Sequence, residues 1–197
     1  MQTAPAKILK EVKLYKGEVI VRKCEGRWGH EYWVSDRGSE FERKTGVTTF
    51  LGIKDKSRPL MIWAVGLAKE YLLQRAPDGI TAEDVIKACN LHSAEKERTA
   101  DIGTAVHDWI EQYINGKKPA MPENGSVVKG VTSFLDWKEA NKIKFVGSEE
   151  IVYSRKYDYC GSLDFEARIN GKLYLGDFKT GNALYNEVLM QTAGYAM

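Results

Sequence analysis

Two aspartates and a lysine late in the chain have the types and the spacing for chemistry. Residues 157–180 read Tyr-Asp-Tyr-Cys-Gly-Ser-Leu-Asp-Phe-Glu-Ala-Arg-Ile-Asn-Gly-Lys-Leu-Tyr-Leu-Gly-Asp-Phe-Lys-Thr. Two runs of β-forming residues flank Asn170-Gly171, a dipeptide suited to a two-residue hairpin turn. If Ile169 pairs with Lys172, paired residue numbers sum to 341, and so do 164 and 177. Asp164 and Asp177 then face each other on one side of the hairpin. Lys179, two residues on, joins that side because side chains alternate along a strand. Like charges directly opposite are destabilising; at about 5 Å and an effective dielectric near 20 the repulsion is on the order of 3 kcal/mol. Such a pair persists if one acid is protonated, if a cation neutralises the two, or if the register differs. Oxygen ligands beside a lysine suit a hard divalent cation such as Mg²⁺ or Mn²⁺. The plain alternative is a solvated hairpin face with ordinary charges.

Several elements must position these residues. The run 145–153 predicts the strand before the hairpin, and of Glu149-Glu150 it is Glu150 that is expected to bring a further carboxylate. Gly181 ends the second hairpin strand, and 186–197 reads as a helix with Glu187, Gln191 and Tyr195 at i, i+4 and i+8 on one face. Residues 93–115 read as one long helix, or two joined near Asp101, with a core stripe of Ile102, Val106, Trp109, Ile110 and Tyr113. His107 lies off the centre of that stripe. Gly103, at i−4, strips bulk from the patch His107 covers and leaves room for something to approach, although a lone helical histidine is more often structural. A further amphipathic helix is expected over 126–141.

Earlier in the chain, 57–75 carries apolar residues at helical spacing, and Thr81 with Asp84 resembles a capping arrangement. The helix it opens is expected to run to about Leu91, with His92 as its C-terminal cap. Residues 17–35 alternate as a β-hairpin, with His30 read as a surface turn residue, and Gly46 to Leu51 forms a short apolar entry to the helices.

The chain has 197 residues, 43% hydrophobic and 28% charged, enough for one domain with a sizeable core and room for a small accessory lobe. A net charge of +2 is too mild to predict a nucleic-acid partner by itself. Cys24, Cys89 and Cys160 are widely spaced, which argues against a zinc knuckle or a disulfide framework and for a reducing compartment. Residues 1–16 lack an apolar signal core, their recurring lysines read as a solvated face, and no stretch is long and apolar enough to span a membrane. A cytoplasmic protein with no membrane partner is expected. The sequence stops inside a helical pattern, which predicts that the natural protein continues, with a further strand.

Gly161-x-x-Asp164, the step to Asp177-Phe178-Lys179, and Gln191-x-x-x-Tyr195 together resemble the PD-(D/E)XK nuclease superfamily, more narrowly its RecB-type exonuclease branch. Gly103-Thr104-Ala105-Val106-His107 matches the Gly-x-x-x-His helix of that branch, and Glu150 is the best match for its strand glutamate. Val47-Thr48-Thr49 and Trp63 further resemble phage-encoded and mitochondrial-maintenance-like exonucleases of the branch. The resemblance covers 46–197; residues 1–45 form a separate N-terminal segment.

It implies an α/β fold: a small mixed central β-sheet flanked by helices, a restriction-endonuclease-like core, with an N-terminal β-hairpin and a helical region walling a DNA channel. It implies a metal-dependent DNA exonuclease acting in recombination, repair or replication, with DNA and a recombination or replication protein as partners. Asp164, Asp177, His107, Glu150 and the Phe178 carbonyl would hold one or two Mg²⁺ or Mn²⁺ ions. Lys179 would orient or help deprotonate a water, with a plain salt bridge to Asp177 as its competing role. Gln191 and Tyr195 would position the water, the lysine or the DNA backbone. The cysteines that hold an iron–sulfur cluster in some relatives are missing, so no cluster is expected. A weakly catalytic DNA-binding module and an endonuclease on the same fold stay open.

Overall fold

The computed structural model describes residues 7–27, 29–181 and 183–197. Residues 1–6, the first part of the segment read as lacking an apolar signal core, lie outside it.

The Asn170-Gly171 turn sets the geometry of the C-terminal half. Both residues have positive φ, 51° and 79°, which matches the right-handed twist of the flanking strands. The turn joins β6 (Tyr159–Ile169) to β7 (Lys172–Gly176), and the expected register holds from Ile169↔Lys172 to Phe165↔Gly176. The ladder stops one pair short of the two aspartates. On its other edge β6 pairs antiparallel with β5 (Lys144–Ser154) along nearly its whole length.

The N-terminal segment is more than a hairpin. β1 (Ile8–Leu14), β2 (Val19–Gly26), β3 (Gly29–Asp36) and β4 (Glu42–Gly46) form an antiparallel meander. The lysine-bearing stretch read as a solvated face is thus largely a strand. β4 then joins β6 in parallel through Thr45↔Tyr159 and Gly46↔Cys160. Among the described residues, seven strands form one mostly antiparallel sheet in a mixed α/β fold. Val19, Val21, Tyr32 and Val34 share a core with Ile151 and Cys160, so the meander is packed onto the rest as well as bonded to it.

β4 pairs with β6 only at residues 159–160, and β7 only from Phe165 onward. Between them, the 161–164 edge of β6 has no strand neighbour among the described residues, and the chain leaves both flanking strands there: β4 into α1 (Val47–Leu51), β7 into Asp177.

The helices follow their sequence pattern closely, with one correction. α2 (Ser57–Arg75) and α4 (Gly125–Ala140) lie where the spacing puts them. The two expected helices around residues 81–115 are one, α3 (Ala82–Ile114), opened by a complete Thr81/Asp84 capping box. His92 therefore sits mid-helix, its Nδ1 3.0 Å from the Cys89 carbonyl, and caps nothing. α2 packs chiefly on the first half of α3 as a projecting arm with no buried residue of its own. The second half of α3 packs on α4 through Val106, Trp109, Ile110, Val127, Val131 and Phe134. The last helix, α5 (Asn186–Ala196), delivers Tyr195 to a cluster with Val47, Tyr159 and Leu163.

Candidate functional site

The open edge of β6 is the wall of a 440 Å³ cavity lined by Asp164, Asp177, Lys179, Gln191 and Tyr195, together with Glu149 and Lys23. Local packing explains how these side chains meet. The Phe165 ring lies over Gly176, where a Cβ would come within 2.0–2.6 Å of it, and stacks on Phe178 at 4.6 Å. Phe178 is thereby anchored, which fixes Asp177 and Lys179 on either side of it. The Phe178 N–H donates to Asp164 Oδ2 at 2.6 Å, so the hairpin's two acidic segments are tied across the end of the ladder.

Asp177 is the most enclosed of the acids, its side chain 3% exposed. Its Oδ1 accepts from Gln191 Nε2 at 2.8 Å. Its Oδ2 is buried and receives no well-directed hydrogen bond; the Lys179 ammonium rests against it as an ion pair and supplies charge alone. The same Gln191 amide donates to the Tyr195 hydroxyl at 2.7 Å. Burial, opposed by the Gln191 bond and aided by Asp177 and Asp164, pushes the Tyr195 hydroxyl up to about 12, so it stays protonated. Gly161 makes room for this arrangement: a Cβ there would stand 2.5 Å from the Tyr195 ring.

Asp164 is 15% exposed, and its carboxyl is pushed up to about 6, first by burial and then by Asp177. His107 and the Phe178 N–H oppose the rise, and Glu149 adds to it. His107 Nδ1 stands 3.5 Å from Asp164 Oδ2, on the side where a smaller cavity is lined by His107, Glu149, Asp164 and Phe178. What occupies the room left by Gly103 is Thr180, whose Oγ1 would lie 3.0 Å from a Cβ there. The glycine thus seats the segment after Lys179 against α3.

The third carboxylate is Glu149, and Glu150 is not at this cavity. Ser148↔Phe165 and Glu150↔Leu163 bracket the position opposite Asp164, which Glu149 takes with a left-handed backbone, φ 51°. Glu150, one residue on, sides with Leu163 and turns its carboxylate over Gly147.

Glu149 is held by the N-terminal meander. Lys23 Nζ contacts Glu149 Oε2 at 2.9 Å, Lys10 Nζ donates to its carbonyl at 2.7 Å, and Ser162 Oγ donates to Oε2 at 3.1 Å. Burial raises the Glu149 carboxyl, but the Lys23 bond and charge outweigh it and leave the group below its usual range. His30 is exposed at the β2–β3 turn, as expected from sequence, and also lines the mouth of this cavity, where partial desolvation and Lys23 lower its imidazole.

Lys23 was invisible to sequence reasoning, because no local pattern links it to an acid 126 residues away. Nothing in the sequence selected Glu149 over Glu150 either, because a slip of one residue exchanges the faces of a strand and Glu149 adopts a left-handed backbone. Among the described residues, no group of three His, Cys, Asp or Glu stands ready to hold a metal; Lys23 and Lys179 pair with two of the carboxylates. Comparison with known proteins is silent: no family model, curated protein or solved structure matches the chain.

Proposed function

We propose that this chain is a metal-dependent DNA exonuclease built on a restriction-endonuclease-like core formed by β5–β7, α3 and α5. The observation that carries the reading is the crowding of Glu149, Asp164 and Asp177 around one cavity at the unpaired edge of β6. Three carboxylates with two ammonium groups leave a net negative site, and Asp164 answers by holding its proton to about pH 6. A hard divalent cation relieves that crowding, and oxygen donors fit Mg²⁺ or Mn²⁺.

Asp164, Asp177 and, once released from Lys23, Glu149 would hold the ion, with His107 beside Asp164 as a nitrogen donor that favours Mn²⁺. The chemistry such an ion supplies is a more acidic bound water and neutralisation of charge on a phosphate. Lys179 holds its ammonium at Asp177, where it can orient a water and offset charge developing on the phosphate. Gln191 fixes the Asp177 carboxylate, and Tyr195, kept protonated, fixes Gln191.

The test is digestion of linear and closed circular DNA with Mn²⁺ or Mg²⁺, with Asp177→Asn as the blank. Metal-dependent loss of the linear form, with the circle intact, is expected, and Mn²⁺ should serve at least as well as Mg²⁺. Cutting of the circle would replace the exonuclease with an endonuclease, and no digestion of either form would remove the enzyme. One observation favours a second reading, a DNA-binding module with a weak site: Lys23 holds Glu149 where a metal would need it.

A further inference from the structure

Beyond Phe178–Lys179 lies a second, larger cavity of 630 Å³. α4 gives it Lys129, Ser133 and Trp137, spaced i, i+4, i+8 on one face, and α3 gives it Arg98, Ile102 and Val106. The two helices close on each other at Gly130, where a Cβ would meet Val106 Cγ2 at 2.8 Å.

Its chemistry is mixed. Trp137 is 37% exposed yet has the rings of Phe134, Phe165 and Phe178 within 6.5 Å, so it is a steadied, accessible aromatic surface. Arg98 is held by Glu95 at 2.6 and 2.9 Å. Lys129 forms no ion pair among the described residues, and Lys179 lines this cavity as well as the acid one. Of the three lining cations, Arg98 is paired with Glu95 and Lys179 with Asp177, so it is the Lys129 ammonium that favours an anionic group over an apolar peptide, and the exposed aromatic favours a planar one.

We propose that this cavity binds an unpaired nucleotide of a single DNA strand, its base on Trp137 and its phosphate at Lys129. The assignment rests on the phosphodiester-cleaving reading of the acid cavity: Lys179 lines both that cavity and this one, and Phe178 lines this one and the smaller cavity beside Asp164, so a strand with one phosphate at the acids has its neighbouring nucleotide here. Aromatic surfaces accept any base, but only one that has left its stack. A duplex keeps its bases paired and offers Trp137 only backbone, so the cavity selects single strands or frayed ends.

Fluorescence anisotropy of the full chain in EDTA tests this without turnover, using a fluorescein-labelled oligothymidylate of about 12 nucleotides and a duplex of the same length. The single strand should bind more tightly. Lys129→Glu, at an exposed position, should weaken it about tenfold and lower the salt dependence by about one ion. Trp137→Leu should weaken it by a similar factor, and neither change should affect the duplex. Melting temperatures of both variants check their folding. Unchanged single-strand affinity in a folded Lys129→Glu variant, or a parent that prefers the duplex, overturns the assignment. If binding ignores both changes while the parent still digests DNA with Mn²⁺, only the cavity assignment falls. If both changes weaken binding but no DNA is digested with metal, the cavity stands and the nuclease reading falls.

Discussion

Replacing Asp164 by asparagine should stabilise the metal-free protein at neutral pH, and the gain should vanish in acid. In the folded chain its carboxyl is pushed from an ordinary 3.8 up to about 6, by burial and by Asp177. A raised carboxyl binds its proton more tightly in the folded state. Its contribution is therefore complete below about pH 4 and is lost as pH rises through about 6. The difference of about 2 pH units corresponds to about 3 kcal/mol at pH 7.5. That figure is a ceiling, because Asp177 shares the titration and the new amide needs acceptors. Asparagine keeps an oxygen for the Phe178 N–H and carries no charge against Asp177. A gain of about 1–3 kcal/mol, or roughly 2–12 °C in melting temperature for a chain of this size, is expected at pH 7.5. The assay is urea unfolding followed by tryptophan fluorescence, in EDTA, for parent and variant across pH 4 to 8. The difference between the two cancels the titrating groups that do not interact with Asp164 and leaves Asp164 with its neighbours Asp177, His107 and Glu149. Mn²⁺ should then raise the stability of the parent much more than that of the variant. An Asp164→Asn protein less stable than the parent at pH 7.5, or a difference that does not change with pH, would refute the crowding argument.

Lys179→Ala should abolish metal-dependent digestion while DNA affinity in Ca²⁺ stays near that of the parent. It should also cost about 1–3 kcal/mol of metal-free stability, because Asp177 Oδ2 loses the ammonium paired with it; unaltered cleavage would remove Lys179 from the mechanism. Glu149→Gln should weaken Mn²⁺ binding in calorimetry at least tenfold whereas Glu150→Gln leaves it alone, and the reverse outcome would return Glu150 to the site. Gly161→Ala should lower stability by about 1–3 kcal/mol, because its methyl group collides with the Tyr195 ring; a melting temperature equal to the parent's would mean that Tyr195 is free to move aside.

What could be read from the sequence and what could not divide along the range of the interactions involved. The hairpin was legible because two adjacent residues, Asn170 and Gly171, dictate a turn, and the turn dictates the register around Asp164 and Asp177. Gln191 and Tyr195 were legible because helical spacing stacks them on one face of α5, whereas spacing put His107 only off the core stripe of α3, and the family resemblance alone pointed it to the acids. The choice between Glu149 and Glu150 was not, since a slip of one residue exchanges the faces of a strand. β5 contains a register shift between Phe145 and Gly147, and Glu149 adopts a left-handed backbone that no local preference demands. The break expected near His92 failed for a similar reason: polar residues on a projecting helix arm interrupt the apolar pattern without interrupting the backbone bonds. Lys23 was the least legible, because its role exists only once β4 has joined β6 and brought the meander over the acids. The N-terminal segment is therefore part of the site's electrostatics. Its lysine neutralises a carboxylate that the C-terminal half cannot neutralise from its own strands, and any cation that enters must compete with that ammonium for Glu149.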